Sequence, residues 1–358
     1  MAVKHGGNLQ EISEIYQIEK QDLIDFSANI NPLGIPERIK QAINQGLEGL
    51  IHYPDSRYRL LKQAIADFHQ LTPECVYASN GAAEAIFMLG RVLKVKKLLL
   101  LAPTFMEYEA AFQQQATEFC YFDLETRNFQ WRVSEFISFA IAEEATGICL
   151  CNPNNPTGQM LNQTELDELL TFCQDRGLVL IVDEAFADFS GKEDSLIPKV
   201  TKYANLFVLR SLTKMFAIPG LRLGYLLTSN VEILDQIEQV TVPWHINTFA
   251  DLAGQQALKE QSFIEESQHY IEKERSFLIG ELARFSDNII VYPSQTNFLF
   301  FRYLGEDCLQ EKLIYKGILI RNCTSFKGLS QNYYRIAVKK RNQNQALVNA
   351  LEEVLCGK

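Results

Sequence analysis

The chain has 358 residues, of which 47% are hydrophobic and 22% charged. That composition can fill a sizeable core and excludes global disorder, and at about 150 residues per domain the length points to roughly two domains. Its 34 Lys and Arg against 44 Asp and Glu give a formal charge of −10, which speaks against nucleic acid or an anionic membrane as partner and leaves room only for a local basic site for a small anion.

In chain order, a helical pattern at 82–93 is followed by an apolar strand run at 98–102 and a helix at 106–115. Next come a strand at 147–151, a helix at 163–175, strands at 178–183, 206–212 and 224–227, and a helix at 231–239. These strand runs are apolar throughout, which predicts burial on both faces. Their alternation with helices predicts a parallel sheet covered by helices. The segment 164–167 reads as a capping segment and Gly177 as the stop of that helix. Beyond about residue 245 the texture changes. A long helical stretch at 248–285 leads to strands at 288–292, 297–303, 318–321 and 333–338, with helices at 309–316 and 342–355. The predicted fold is therefore α/β: a large domain with a mostly parallel central sheet flanked by helices, and a smaller C-terminal α+β domain. The expected limits are 31–245 and 246–358, with 1–30 as an arm on the small domain or the cleft.

No apolar run approaches the ~20 residues of a membrane span, and Met1 to Asn8 carry no apolar leader core. The eight cysteines show no Cys-x-x-Cys, and six lie in apolar or helical segments where a reduced thiol is the usual state. A cytoplasmic protein is expected. No His, Cys or Asp cluster has metal-ligand spacing, so no metal is expected, and no Gly-x-Gly-x-x-Gly turn suggests a dinucleotide.

Ligands of open parallel sheets sit at the carboxyl ends of strands. Those ends lead into Asn152–Gly158, Asp183-Glu184-Ala185-Phe186, Arg210-Ser211-Leu212-Thr213-Lys214 and Pro219–Gly224. A lysine at a buried strand end is costly as an ammonium, and burial depresses its pKa, which suits it to Schiff-base chemistry. A carboxylate at the neighbouring strand end could keep a pyridinium nitrogen protonated. Ser211, Thr213, Arg222 and a helix N-terminus offering the amides of Gly81, Ala82 and Ala83 could bind a phosphate. Together these features describe a pocket for pyridoxal 5'-phosphate.

The ordered set Asn155-Pro156-Thr157-Gly158, Asp183-Glu184-Ala185-Phe186, Ser211-x-x-Lys214 and Arg222 resembles the fold type I, aspartate-aminotransferase superfamily along nearly the whole chain. Asn297 and Arg335 stand in matching places. The resemblance implies that Lys214 binds the cofactor aldehyde and shuttles protons, with Asp183 on the ring nitrogen. It gives Asn155 the ring hydroxyl, Phe105 the ring face, and Ser211, Arg222 and the amides at 81–83 the phosphate. Arg335 would bind the substrate carboxylate in the bidentate geometry arginine offers. Tyr53 would reach the phosphate of a neighbouring subunit, which implies a homodimer.

Two sub-families share these motifs. His5-Gly6-Gly7-Asn8, the segment Asp25 to Gly34, the lysine segment Arg210 to Gly220, and the pair Arg321 and Arg335 resemble threonine-phosphate decarboxylase of cobalamin synthesis. Histidinol-phosphate aminotransferase is the alternative. Most aminotransferases carry a tyrosine where this chain has Phe186, which removes one donor to the ring hydroxyl. The decarboxylase resemblance implies that His5, Gly6, Asn29, Asn155, Arg321 and Arg335 contact the carboxylate and phosphate of a phosphorylated amino acid. It also implies an arm bearing His5 that closes over the substrate.

Overall fold

The computed structural model describes residues 6–191 and 193–357, so His5 lies outside the described residues. Seven strands form the larger sheet, in the order Val76–Ser79, Gly224–Leu227, Leu206–Ser211, Val179–Asp183, Gly147–Cys151, Lys97–Ala102 and Glu118–Asp123. The last five are mutually parallel. Gly224–Leu227 runs antiparallel to both neighbours. Between it and Leu206–Ser211 lie two short helical turns, Leu212–Met215 and Pro219–Leu221, not the crossover helix that a parallel return uses.

The period of two along each strand divides the core between the two faces. Leu99, Leu101, Ile148, Leu150, Leu180 and Val182 pack on one side. Leu98, Leu100, Cys149, Cys151, Ile181 and Phe207 pack on the other. Both Gly147–Cys151 and Leu206–Ser211 are buried along their whole length, as continuous apolar runs require. The helix Gln163–Arg176 starts where expected, but its cap, Asn162, lies two residues before the expected segment 164–167. Asn162 Oδ1 accepts from Glu165 N at 3.1 Å, and Glu165 Oε2 accepts from Asn162 N at 2.9 Å, so the reciprocal cap sits on Asn-x-x-Glu and leaves Thr164 inside the helix. Gly177, at φ +66, ends it in the left-handed conformation.

A second, four-stranded antiparallel sheet runs Arg321–Asn322, Tyr333–Ala337, Phe298–Tyr303, Ile289–Tyr292. The strand expected at 318–321 is two strands. Ile318–Leu319 pairs in parallel with Ile24–Asp25, and Arg321–Asn322 pairs antiparallel with Tyr333–Ala337. The helix expected at 248–285 is likewise two, Thr248–Ala257 and Gln261–Leu282.

Residues 24–31 connect the two sheets. Ala337 N donates to Phe26 O at 2.8 Å, while Asn31 N donates to Lys214 O at 3.1 Å. The Asn31 amide also donates to Met215 O (2.8 Å) and Ser267 Oγ (2.7 Å). The eight cysteines are free thiols. Among the described residues, no helix is long and apolar enough to cross a membrane and no cluster could hold a metal ion.

Candidate active site

A cavity of about 640 Å³ opens at the carboxyl ends of the parallel strands. Cys151, Asp183 and Ser211, the last residues of three adjacent strands, all line it. So do Ala82, Ala83, Phe105, Asn155, Thr213, Lys214 and Arg222 from the large sheet's loops. Gly6, Asn29, Arg321 and Arg335 approach from the side of the second sheet. Tyr53 stands away from this cavity, exposed, with its ring 4.6 Å from that of Trp244.

Lys214 follows Leu206–Ser211 by three residues, and its Nζ donates to Thr213 Oγ1 at 3.2 Å. Burial, reinforced by the Arg222 and Arg335 guanidinium groups, lowers its pKa to about 8 against the pull of Asp183. A fraction of the amine is therefore neutral and nucleophilic near neutral pH. Asp183 is buried, and burial pushes its carboxyl upward. Its charged form is supported by Ala185 N–H, donating to Oδ1 at 2.9 Å, and by the hydroxyl of Tyr108, donating to Oδ2 at 2.7 Å. Tyr108, wholly buried, was not among the residues expected at the site. Phe105 lines the cavity and meets the Tyr108 ring edge-on at 5.5 Å.

The chain is shaped for close approach on the opposite side. Gly81 has φ +79, and a Cβ there would stand 2.8 Å from Arg222 Nη2. At Gly224 a Cβ would stand 2.4 Å from Ala82 N, the first amide of the helix Ala82–Val92. Ser211 Oγ and Thr213 Oγ1 share a 2.7 Å hydrogen bond. Two hydroxyls, a guanidinium and the unpaired amides of a helix start form a cradle suited to a phosphate. With an amine of lowered pKa and a buried carboxylate, these residues fit pyridoxal phosphate.

Arg335 is buried and donates to Asn155 Oδ1 and, at 2.7 Å, to Ser27 O. The Asn29 amide, with its oxygen towards the guanidinium, accepts from Arg335 Nε and Nη1 at 3.3 and 3.2 Å. Asn297 Nδ2 fixes Asn29 through its carbonyl at 3.0 Å. Arg321, cross-strand from Arg335, donates to Ser325 Oγ at 2.6 Å and lies 5.7 Å from the Phe326 ring. Gly6 must be small, since a Cβ would stand 2.3 Å from Ser27 O. Phe186 presents no hydroxyl and packs edge-on against Phe298 at 5.1 Å. Glu184 points away from the cavity into an ion cluster with Arg210, at 3.1 Å.

The profile of the family described as "Aminotransferase class I and II" matches residues 21–351. The chain is 37% identical over 354 residues to a threonine-phosphate decarboxylase of Salmonella typhimurium, covering 99% of this chain and 97% of the relative. A crystal structure of a histidinol-phosphate aminotransferase from Clostridium acetobutylicum superposes with a TM-score of 0.87 at 33% identity, covering 94% of this chain and all of that one. The crystal structure of an L-threonine-O-3-phosphate decarboxylase from Porphyromonas gingivalis superposes with a TM-score of 0.83 at 25% identity, covering 92% and 98%. The chain belongs to the class I and II aminotransferase family.

Proposed function

We propose that this protein is a pyridoxal-phosphate enzyme that decarboxylates L-threonine O-3-phosphate to (R)-1-aminopropan-2-yl phosphate and carbon dioxide, a step of cobalamin synthesis. The observation that carries this reading is the buried pair Arg321 and Arg335, which faces Lys214 across one cavity. Two adjacent guanidinium groups suit a substrate with two anionic groups. The full-length identity to a threonine-phosphate decarboxylase supports the same reading.

The bound cofactor supplies an electron sink for the pair left at the substrate Cα when a bond to it breaks. The protein decides which bond that is. In this reading Lys214 Nζ holds the cofactor aldehyde, Asp183 holds the ring nitrogen's proton and Asn155 meets the ring hydroxyl. Phe105 covers a ring face, while Ser211, Thr213, Arg222 and the amides of Gly81, Ala82 and Ala83 hold the phosphate. Arg335, its plane fixed by Asn155 and Ser27, would grip the substrate carboxylate and set its orientation, which decides whether the carboxylate or the Cα hydrogen is the group lost. Freed from the aldehyde when the substrate amine takes its place there, Lys214 Nζ would be the group that returns a proton to Cα once carbon dioxide has left. Gly6, Asn29 and Arg321 enclose the remainder of the substrate, with His5 assigned there by resemblance. The reading also includes a cytoplasmic homodimer, with Tyr53 facing the partner's site. The exposure of Tyr53 beside Ile51, Val242 and Trp244, all exposed, supports that assignment.

A second reading, transamination of the histidinol-phosphate type, draws on the likeness to the Clostridium structure. Incubating the holoenzyme with phosphothreonine and measuring carbon dioxide separates the two. Release of carbon dioxide supports decarboxylation. Its absence, together with conversion of added 2-oxoglutarate to glutamate, overturns it.

A further inference from the structure

Five cationic side chains and two carboxylates line the cavity of a chain whose formal charge is −10. Lys214 and Arg222 belong to the cofactor side. Three cations remain towards the second sheet: Arg321, Arg335 and Lys339. The reading above, on which this inference rests, uses only the two arginines.

Lys339 is held in place by its backbone. Its N–H donates to Asn344 Oδ1 at 3.0 Å, and its carbonyl accepts from Asn344 Nδ2 at 2.8 Å. Asn344 is fully buried and donates in turn to Glu274 Oε2 at 3.0 Å, and Arg341 braces Glu274 at 2.9 Å. Arg335 lies on the strand Tyr333–Ala337 and Lys339 two residues past its end, and both line the cavity.

The Lys339 ammonium makes no hydrogen bond or ion pair among the described residues. Asp25, the carboxylate nearest in charge terms, already accepts from Ser27 N at 2.7 Å and from Ser27 Oγ at 2.6 Å through Oδ1. Burial lowers the Lys339 pKa, with Asp25 opposing. Like charges placed directly across strands repel, as Arg321 and Arg335 are. Lys339 lines the same cavity as that pair and brings the cations on this side to three. Such a cluster is neutralised by a ligand with a carboxylate and a second, doubly charged group.

We infer that Lys339 is a specificity-determining residue that receives the phosphate of the substrate, on the outer side of the cavity from the Arg335–Asn155 pair. Arg335 stands next to Asn155 and so serves the carboxylate beside Cα. Lys339 serves the group further out, and its flexible ammonium follows a rotating phosphate where a rigid fork would not.

The test measures equilibrium binding, by calorimetry, of O-phosphothreonine and of unphosphorylated threonine to cofactor-loaded protein in which Lys214→Ala blocks turnover, with Lys339 wild type or replaced. With Lys339 wild type, this protein binds the phosphorylated amino acid more tightly. Lys339→Met should weaken phosphothreonine about tenfold to a hundredfold, the worth of a charge-assisted hydrogen bond, and leave threonine within about threefold. Lys339→Arg should recover most of the loss, which separates charge from folding. A Lys339→Met protein that keeps the wild-type preference, or that loses both ligands alike, overturns the inference alone. A protein with Lys339 wild type that binds the two amino acids equally overturns the decarboxylase reading and this inference with it.

Discussion

The hydroxyl of Tyr108 donates to Asp183 Oδ2 at 2.7 Å, joining two residues 75 positions apart in the chain. The tyrosine is wholly buried and the aspartate almost so. In a setting that raises the carboxyl pKa by desolvation, this donor and the Ala185 N–H favour the ionised form. Tyr108 thus positions the carboxylate proposed above to meet the cofactor nitrogen.

Tyr108→Phe removes that donor and lets the Asp183 pKa rise further. The carboxylate form is then lost at a higher pH as acid is added. Cofactor affinity should fall about tenfold or more, the worth of one hydrogen bond to a charged group, and the deficit should be larger at pH 6 than at pH 8. Fluorescence titration of apoenzyme with pyridoxal phosphate checks it; equal deficits at both pH values would contradict the assigned role.

The Lys214 pKa of about 8 sets a pH window for cofactor capture. Because the neutral amine is the attacking form and its pKa is lowered, the capture rate by apoenzyme should climb with pH and level off above about 8. An unperturbed lysine would still be climbing at pH 10. Stopped-flow absorbance follows this directly. Lys214→Ala should abolish turnover and should leave no chromophore attached after borohydride treatment, while the cofactor still binds non-covalently.

Arg335→Leu leaves Asn155 and the Ser27 carbonyl without their donor and removes the proposed carboxylate ligand. Phosphothreonine KM should rise about a hundredfold or more, as expected for truncating a buried charge partner, with cofactor affinity changed far less. Steady-state kinetics beside a cofactor titration distinguishes the two effects. An unchanged KM would move the carboxylate to another residue.

Away from the cavity, Arg210 holds fully buried Glu184 at 3.1 Å and also pairs with Asp188. Arg210→Met would strand Glu184 and should destabilise the fold by about 3–5 kcal/mol. Adding Glu184→Gln should recover part of that. Thermal unfolding of the single and double variants reads it out, and equal melting temperatures for wild type and Arg210→Met would show that the pair is dispensable.

What the sequence disclosed follows from local chemistry. Gly147–Cys151 and Gly224–Leu227 lie where unbroken apolar runs place them, because both of their faces are buried. Val76–Ser79 escaped notice because it is short and ends in serine, and Glu118–Asp123 because one edge of it is only partly buried. The run at 318–321 looked like one strand because nothing local records that it changes partners after Leu319. The motif residues Asn155, Asp183, Ser211, Lys214 and Arg222 were legible because each lies at a strand end or within four residues of one. Tyr108 and Lys339 were not. The first sits on the helix Glu107–Phe112, where its spacing reads as ordinary core. The second is one of two adjacent lysines, and only the Asn344 clamp singles it out.

Residues 24–31 have a mechanical consequence. At one end this ribbon is hydrogen-bonded to the strand that bears Arg335, and at the other to the carbonyl of Lys214. One segment is therefore bonded both to the strand that carries Arg335 and to the backbone of Lys214, so a shift of that strand has a path along the backbone to the lysine that bypasses the cavity. The second sheet and the lysine turn of the large sheet are thereby held in fixed register by eight residues of chain.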